Sequence, residues 1–94
     1  MAWSNVEPTE AVVTVEEVQV IGDQIRISGT TDPAWVGPAE EAGVSIGNRD
    51  RVVQAVEYGV EGYFALELNA EVSHAVTMRV SLGEAWVVIE VLNE

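Results

Sequence analysis

The chain is 94 residues long, 48% of them hydrophobic, and it contains no Cys and no Lys. The length fits one domain, the hydrophobic fraction excludes a disordered chain, and the missing Cys excludes disulfides and thiolate metal sites. Sixteen acidic residues against four Arg give a net charge of −12. This charge argues against nucleic acid and anionic membranes as partners, because both are bound through cationic side chains.

The first ten residues are expected to be an N-terminal arm of one domain that spans 1–94. They contain no basic residue and no apolar run, so they do not match a signal peptide. No stretch approaches the roughly 20 apolar residues of a membrane span. A virion or the cytoplasm is therefore the expected location.

The first predicted strand covers 11–21, because apolar residues, most of them Val, alternate there with polar ones. The parity of the apolar positions changes at Glu16-Glu17. A one-residue slip would turn the apolar side chains to the opposite face, so a bulge or a bend between sheets is expected at this pair. Gly22-Asp23 follows and predicts a tight hairpin turn with positive φ.

The same alternation predicts six further strands, separated mostly by turns that contain Gly. They cover 24–28, 43–46, 51–57, 63–68, 74–82 and 85–92. The strand 51–57 is ambiguous, because its four apolar residues divide equally between the two parities. Residues 30–42 lack strand periodicity, and only the run AEEAG could form a single helical turn.

Seven short strands with closely spaced turn signals, and no sustained helical pattern, predict an all-β fold, an immunoglobulin-like antiparallel Greek-key sandwich. The inward positions of these strands are the expected core. They are Ile25, Ile27, Val44, Ile46, Phe64, Leu66, Val76, Met78, Val80, Val87 and Ile89.

Four stretches of the chain resemble bacterial immunoglobulin-like (fibronectin-III-like) domains: ISGTT, AGVSI, VEYGVEGYFALEL and VTMRVSLGEAWVVIEVL. The shared skeleton is an I-x-G strand, a short strand led by Gly, a G-x-F-x-x-x-L strand and two closing strands. The resemblance covers 18–92 and extends almost equally to the transthyretin-like sandwich of carboxypeptidase regulatory domains. It implies adhesion, spacer or decoration roles on bacterial surfaces and phage particles, without catalytic residues. The chain departs from the pattern at Glu61, where Asp is usual, and in its long 30–42 loop.

No constellation of catalytic residues is evident. His74 is the only His, begins a predicted strand without a neighbouring nucleophile, and is expected to face solvent. Ser73 and Ser81 lack a G-x-S-x-G context, and the Gly residues form neither a dinucleotide fingerprint nor a Walker loop. We therefore expect no enzymatic activity and no cofactor. The loop carboxylates lack a D-x-D-x-D-G calcium motif, so no metal site is assigned and Ca²⁺ binding in the loops stays open.

Aromatic residues supply the candidate contact sites. Trp35 lies in the 30–42 loop between Pro and Gly residues, where it serves either as a plug over one end of the sandwich or as an exposed anchor. Trp86 and Val88 are expected to point away from the core on the last strand, which as an edge strand would offer unpaired backbone groups. A protein partner or a second copy is expected there, unless Trp3 and the N-terminal arm fold over this patch.

These features favour a non-enzymatic module that contacts another protein, with a phage capsid-decoration or tail role as the best fit. One alternative is an acidic DNA mimic that blocks a nucleic-acid-binding protein, which would need its carboxylates in one stripe. Another is a carbohydrate-binding sandwich, which would need coplanar aromatic rings. For that platform Trp86, Tyr63 and Tyr58 are the candidates.

Overall fold

The computed structural model describes residues 2–7, 13–32, 38–47, 49–58, 62–70, 75–83 and 85–92. These residues form nine strands and one short 3-10 turn at Ala39–Glu41. The strands are β1 (Ala2–Glu7), β2 (Val13–Ile21), β3 (Gln24–Thr31), β4 (Ala42–Ile46), β5 (Arg49–Arg51), β6 (Val53–Tyr58), β7 (Tyr63–Asn69), β8 (Ala75–Leu82) and β9 (Ala85–Leu92).

The strands form two antiparallel sheets that face each other across one core. Sheet A has the strand order β1-β9-β8-β4-β5, and sheet B has the order β2-β3-β7-β6. The chain passes from one sheet to the other four times, after β1, β3, β5 and β7. The predicted all-β sandwich is confirmed. No helix of the described residues is long and apolar enough to cross a membrane.

The core lies between the sheets and is built by period-two alternation. In β8 the buried Met78, Val80 and Leu82 alternate with residues that face outward, and β9 continues the pattern. Of the eleven predicted core residues, nine are buried, while Ile46 and Val76 are half-buried at the margin. The most completely buried large side chains are Phe64, Ile25, Ile27, Leu66, Met78, Leu82 and Ile89.

A bulge in β2 accounts for the parity change at Glu16-Glu17. The register with β3 shifts between Val15 and Glu17, so that Val13, Val15 and Val18 all face the core. The strand stays in sheet B, so the bulge is confirmed and a change of sheet is not. Opposite the bulge lies Gly29, where an added Cβ would fall 1.9 Å from the Thr14 carbonyl oxygen.

Two predictions about strand boundaries were wrong. The residues expected to be an N-terminal arm include β1, which pairs with β9. The single strand expected at 51–57 is split between β5 in sheet A and β6 in sheet B. Val52 lies at this crossing with 95% of its surface exposed, because it belongs to neither sheet. The equal division of the apolar residues of 51–57 between the two parities was the sequence signal of this crossing.

The last strand is not an edge strand, which corrects a further prediction. β9 pairs with β8 on one side and with β1 on the other. The edges are β1 and β5 in sheet A and β2 and β6 in sheet B. The three longer edge strands each have a register shift that ends at a Glu, and β5 has only three residues, all charged. Bulges and charges of this kind discourage pairing with a foreign strand.

Most of the turn predictions that fall on described residues are confirmed. Gly22, Gly47 and Gly83 all have positive φ, as two-residue hairpins require, and Gly22-Asp23 connects β2 and β3 as predicted. The first three residues of the AEEAG run form the 3-10 turn, and its last two begin β4. Trp35, Glu61, Ser73 and His74 lie outside the described residues.

Candidate functional site

The solvent side of sheet A is the candidate contact site, and we call it the sheet A outer face. Residues of even number in β9 point to this side, because their odd-numbered neighbours fill the core. Across β8 and β4 the same side carries polar residues. The defining residues are Trp86, Val88, Glu90 and Leu92 of β9, Thr77, Arg79 and Ser81 of β8, and Ser45 of β4.

Arg79 and Trp86 are in contact on this face, near the turn that joins β8 to β9. Trp86 lies directly opposite Ser81, so Arg79 is its diagonal neighbour on β8. The guanidinium carbon of Arg79 stands 4.5 Å from the centroid of the indole ring, within the range of a cation–π contact. The contact orients both side chains, yet Trp86 still exposes 36% of its surface. A flat, oriented aromatic ring that remains open to solvent is typical of interface anchors.

Three other β9 residues extend this surface along the strand. Val88 and Glu90 are half-buried, and Leu92 at the strand end exposes 39% of its surface. The expectation that Trp86 and Val88 point away from the core is therefore confirmed. Whether they contact a partner stays a prediction.

Trp3 does not cover this face. It lies opposite Val91, a fully buried residue, and its half-buried side chain packs against the core. Trp3 therefore points to the inner side of sheet A. The N-terminal segment closes the backbone edge of β9 and leaves Trp86 exposed. The intramolecular cover expected as the alternative is not formed by Trp3.

A shallow open groove of about 470 Å³ runs beside the Arg79–Trp86 pair, along β4. Its lining includes Ser45, Asp50, Arg79 and Ser81. The Ser45 hydroxyl donates a hydrogen bond of 2.8 Å to the Asp50 carboxylate. Among the described residues the groove therefore offers polar side chains for contact.

The outer face of sheet B differs in charge and in the placement of its apolar residues. Arg26 is bound to Glu67 there at 3.5 Å, and Gln24 donates a hydrogen bond to the same carboxylate. Ile21 and Tyr63 are exposed but lie about six residues apart along the sheet, roughly 20 Å. Scattered apolar residues of this kind need no partner.

The geometry gives little support to the two alternative functions. Glu17 and Glu57 share one row of sheet B but lie on its two opposite edge strands, roughly 14 Å apart, which is not a single acidic stripe. Trp86 faces outward from sheet A and Tyr63 from sheet B, while Tyr58 packs against the core. The three rings therefore do not form a coplanar platform.

Titratable groups form no metal centre in the described part of the chain, where no three of His, Asp and Glu lie close enough together to hold an ion.

Among the described titratable groups, Tyr58 has a perturbed pKa. Burial, followed by the nearby carboxylates of Glu41 and Glu40, raises the pKa of Tyr58 above its usual value of 10.0. The cause is that tyrosinate would be both poorly solvated and repelled by like charge. Tyr58 is therefore held neutral, which suits a structural position rather than an acid–base role.

Sequence reasoning missed Arg79 as a member of the site. The signal was present, because Gly83-Glu84 is a two-residue hairpin turn that pairs Leu82 with Ala85. Counting back along both strands from that pair places Arg79 diagonal to Trp86.

Comparisons of the chain with models of protein families, with curated proteins and with solved structures gave no match.

Proposed function

We propose that this chain is a non-enzymatic immunoglobulin-like module that contacts a protein through the sheet A outer face, as a decoration or tail component of a phage particle. The observation that carries the proposal is the exposed Trp86 ring, which is oriented by Arg79 on the outer face of a five-stranded sheet. Burial of a large apolar side chain contributes roughly 1.5–3 kcal/mol, so a partner that covers this ring gains a substantial anchor.

The strand order supports the immunoglobulin-like assignment. Sheet B, in the order β2-β3-β7-β6, matches the A-B-E-D sheet of immunoglobulin domains, and β9-β8-β4 matches the G-F-C order. In this scheme β5 extends the second sheet beyond β4, and β1 is an addition beside β9. Domains of this architecture carry their functions on surfaces and loops, so a binding role agrees with the absence of a catalytic constellation among the described residues.

The particle setting is supported by composition. A chain without Cys needs no oxidising compartment to reach its folded state, which suits assembly inside a cell. A net charge of −12 favours solubility before assembly.

The test is co-fractionation with particles purified on a density gradient from cells that produce the protein. The wild type is expected in the particle fraction at stoichiometric amounts, and Trp86→Glu is expected to be lost from it. Tyr63→Glu is the matched control, because Tyr63 is an aromatic residue of similar exposure (39%) on the other sheet. Far-UV circular dichroism verifies that both variants fold. Absence of the wild type from particles, or equal retention of the two variants, would contradict the proposal.

A further inference from the structure

The sheet A outer face has a charge pattern that is unusual for this molecule. The whole chain carries sixteen acidic residues and four Arg, yet the charged side chains on β8 and β9 of this face are one Arg79 and one Glu90. Asp50, farther out on β5, accepts the hydrogen bond from Ser45. The face is therefore nearly neutral, and a second molecule of the same net charge meets little repulsion there.

Both central charges lack an ionic partner within the described residues. Arg79 stacks on the Trp86 ring, and its side chain is exposed to solvent. Glu90 is half-buried and makes no ion pair there, since Arg26 and Glu67 form the salt bridge of the described chain. Arg79 lies opposite Val88, so Glu90 is its diagonal neighbour at roughly 7–8 Å between backbones. Within the described part of the chain, a cation and an anion that form no ion pair thus lie on neighbouring strands of this face, beside the apolar Val88.

This arrangement is self-complementary. A two-fold axis that lies parallel to the sheet, between the two faces and across the line from Arg79 to Glu90, would place Arg79 of one copy over the partner's Glu90, and the reverse, so that two ion pairs form at once. Val88 lies beside both Arg79 and Glu90 and is therefore near this axis, whereas Trp86 and Leu92 lie on either side of it and meet other parts of the partner's face. We propose that a second copy of this chain covers the sheet A outer face in a symmetric face-to-face dimer. The inference rests on the proposed function, because it names the partner of the same face.

The size of the face predicts a weak dimer. The five strands lie about 4.8 Å apart and contain three to eight residues each, which gives a surface of roughly 500 Å² on each copy. The total of roughly 1,000 Å² is near the lower bound for a specific interface and below the usual 1,600 Å². We therefore expect association at micromolar or higher concentration. Edge-to-edge pairing is not expected, because the bulged and charged edge strands discourage it.

Sedimentation velocity from 10 µM to 1 mM, roughly the range where such interfaces associate, tests this inference on the full chain. The wild type should shift from monomer to dimer, and Arg79→Glu or Glu90→Arg should each weaken the dimer at least about tenfold, since like charges would then face each other. The double variant Arg79→Glu/Glu90→Arg should restore the affinity to within a few fold. Arg49→Glu is the control for Arg79→Glu, because it changes the net charge equally but lies opposite Ile46, which packs against the core, and therefore points away from the outer face.

A wild type that remains monomeric at the highest concentration would overturn the inference. So would a double variant as weak as the single ones, or an Arg49→Glu protein as weak as Arg79→Glu. These outcomes are separable from the proposed function. If the wild type is monomeric but still requires Trp86 to associate with particles, only the proposed dimer is wrong. If the protein forms the dimer but never associates with particles, only the proposed particle role is wrong.

Discussion

Replacement of Gly29 by Ala should destabilise the fold more than its small size suggests. Gly29 lies in β3 opposite the β2 bulge, and an added Cβ would meet the Thr14 carbonyl oxygen at 1.9 Å and the Val15 Cα at 3.0 Å. Both obstacles are backbone atoms, so no side-chain rotation removes them. Since carbon and carbonyl oxygen normally approach to about 3.3 Å, β2 must shift by more than about 1 Å.

The magnitude follows from this shift. Overpacking of an interior costs about 1–3 kcal/mol, and the loss of one or two ladder hydrogen bonds adds about 0.5–1.5 kcal/mol each. The better strand preference of Ala offsets about 0.5–1 kcal/mol. The expected net loss in the free energy of unfolding is about 2–4 kcal/mol, which corresponds to a Tm lower by roughly 10–25 °C for a domain of this size.

Urea denaturation followed by Trp fluorescence measures this loss, with Gly43→Ala as the matched control. Gly43 is also a strand residue, but its added Cβ would meet only the Ser81 hydroxyl at 3.4 Å, an ordinary contact. The control should therefore change stability by less than about 1 kcal/mol. Equal losses in the two variants, or a loss below about 1 kcal/mol for Gly29→Ala, would refute the close approach of β2 and β3.

Three further predictions concern the core, the acidic surface and Tyr58. Phe64→Ala should cost about 3–5 kcal/mol in chemical denaturation, because the ring is 1% exposed, and a loss below about 1 kcal/mol would contradict the inward parity of β7. The Tm should rise with NaCl, because the Arg26–Glu67 pair is partly exposed and contributes little against the repulsion of a −12 chain; a flat or falling Tm would contradict this. The raised pKa of Tyr58 means that the folded state holds its proton longer than the unfolded state does, so stability should fall as the pH rises above about 10. Because the chain has no Lys or Cys, Tyr58→Phe should flatten this decline, and an unchanged Tm-against-pH curve would contradict the assignment.

The strands that were predictable from the sequence are those with regular alternation. In β8 and β9 one side of the strand is largely buried and the other is largely solvated, so the period-two pattern is strong. The turn at Gly22 was predictable because a two-residue hairpin needs positive φ. The β2 bulge was also predictable, since a single extra residue inverts the parity of the apolar positions at Glu16-Glu17.

What the sequence did not reveal depends on contacts between distant segments. The six residues of β1 show no alternation, and they form a strand because β9 offers them a free edge to pair with. The half-buried Trp3 lies on the same side of the sheet as Val91, and this position follows only from the pairing of β1 with β9. The open face around Trp86 likewise depends on β1 pairing at the side of β9 instead of covering it. Local patterns therefore located the aromatic residue, and the sheet order determined that it is exposed.

The central claim is that the sheet A outer face is the surface that meets a partner. Its most direct test is a photo-reactive benzoyl-phenylalanine placed at Val88, with Ser28 as the matched half-buried position on the outer face of sheet B. Both proteins are irradiated within particles or at the highest soluble concentration, and the cross-linked peptides are sequenced by mass spectrometry. Our account predicts abundant adducts from position 88, to a particle protein or to the second copy, and none from position 28. Adducts from position 28 alone, or equal yields from both positions, would contradict it.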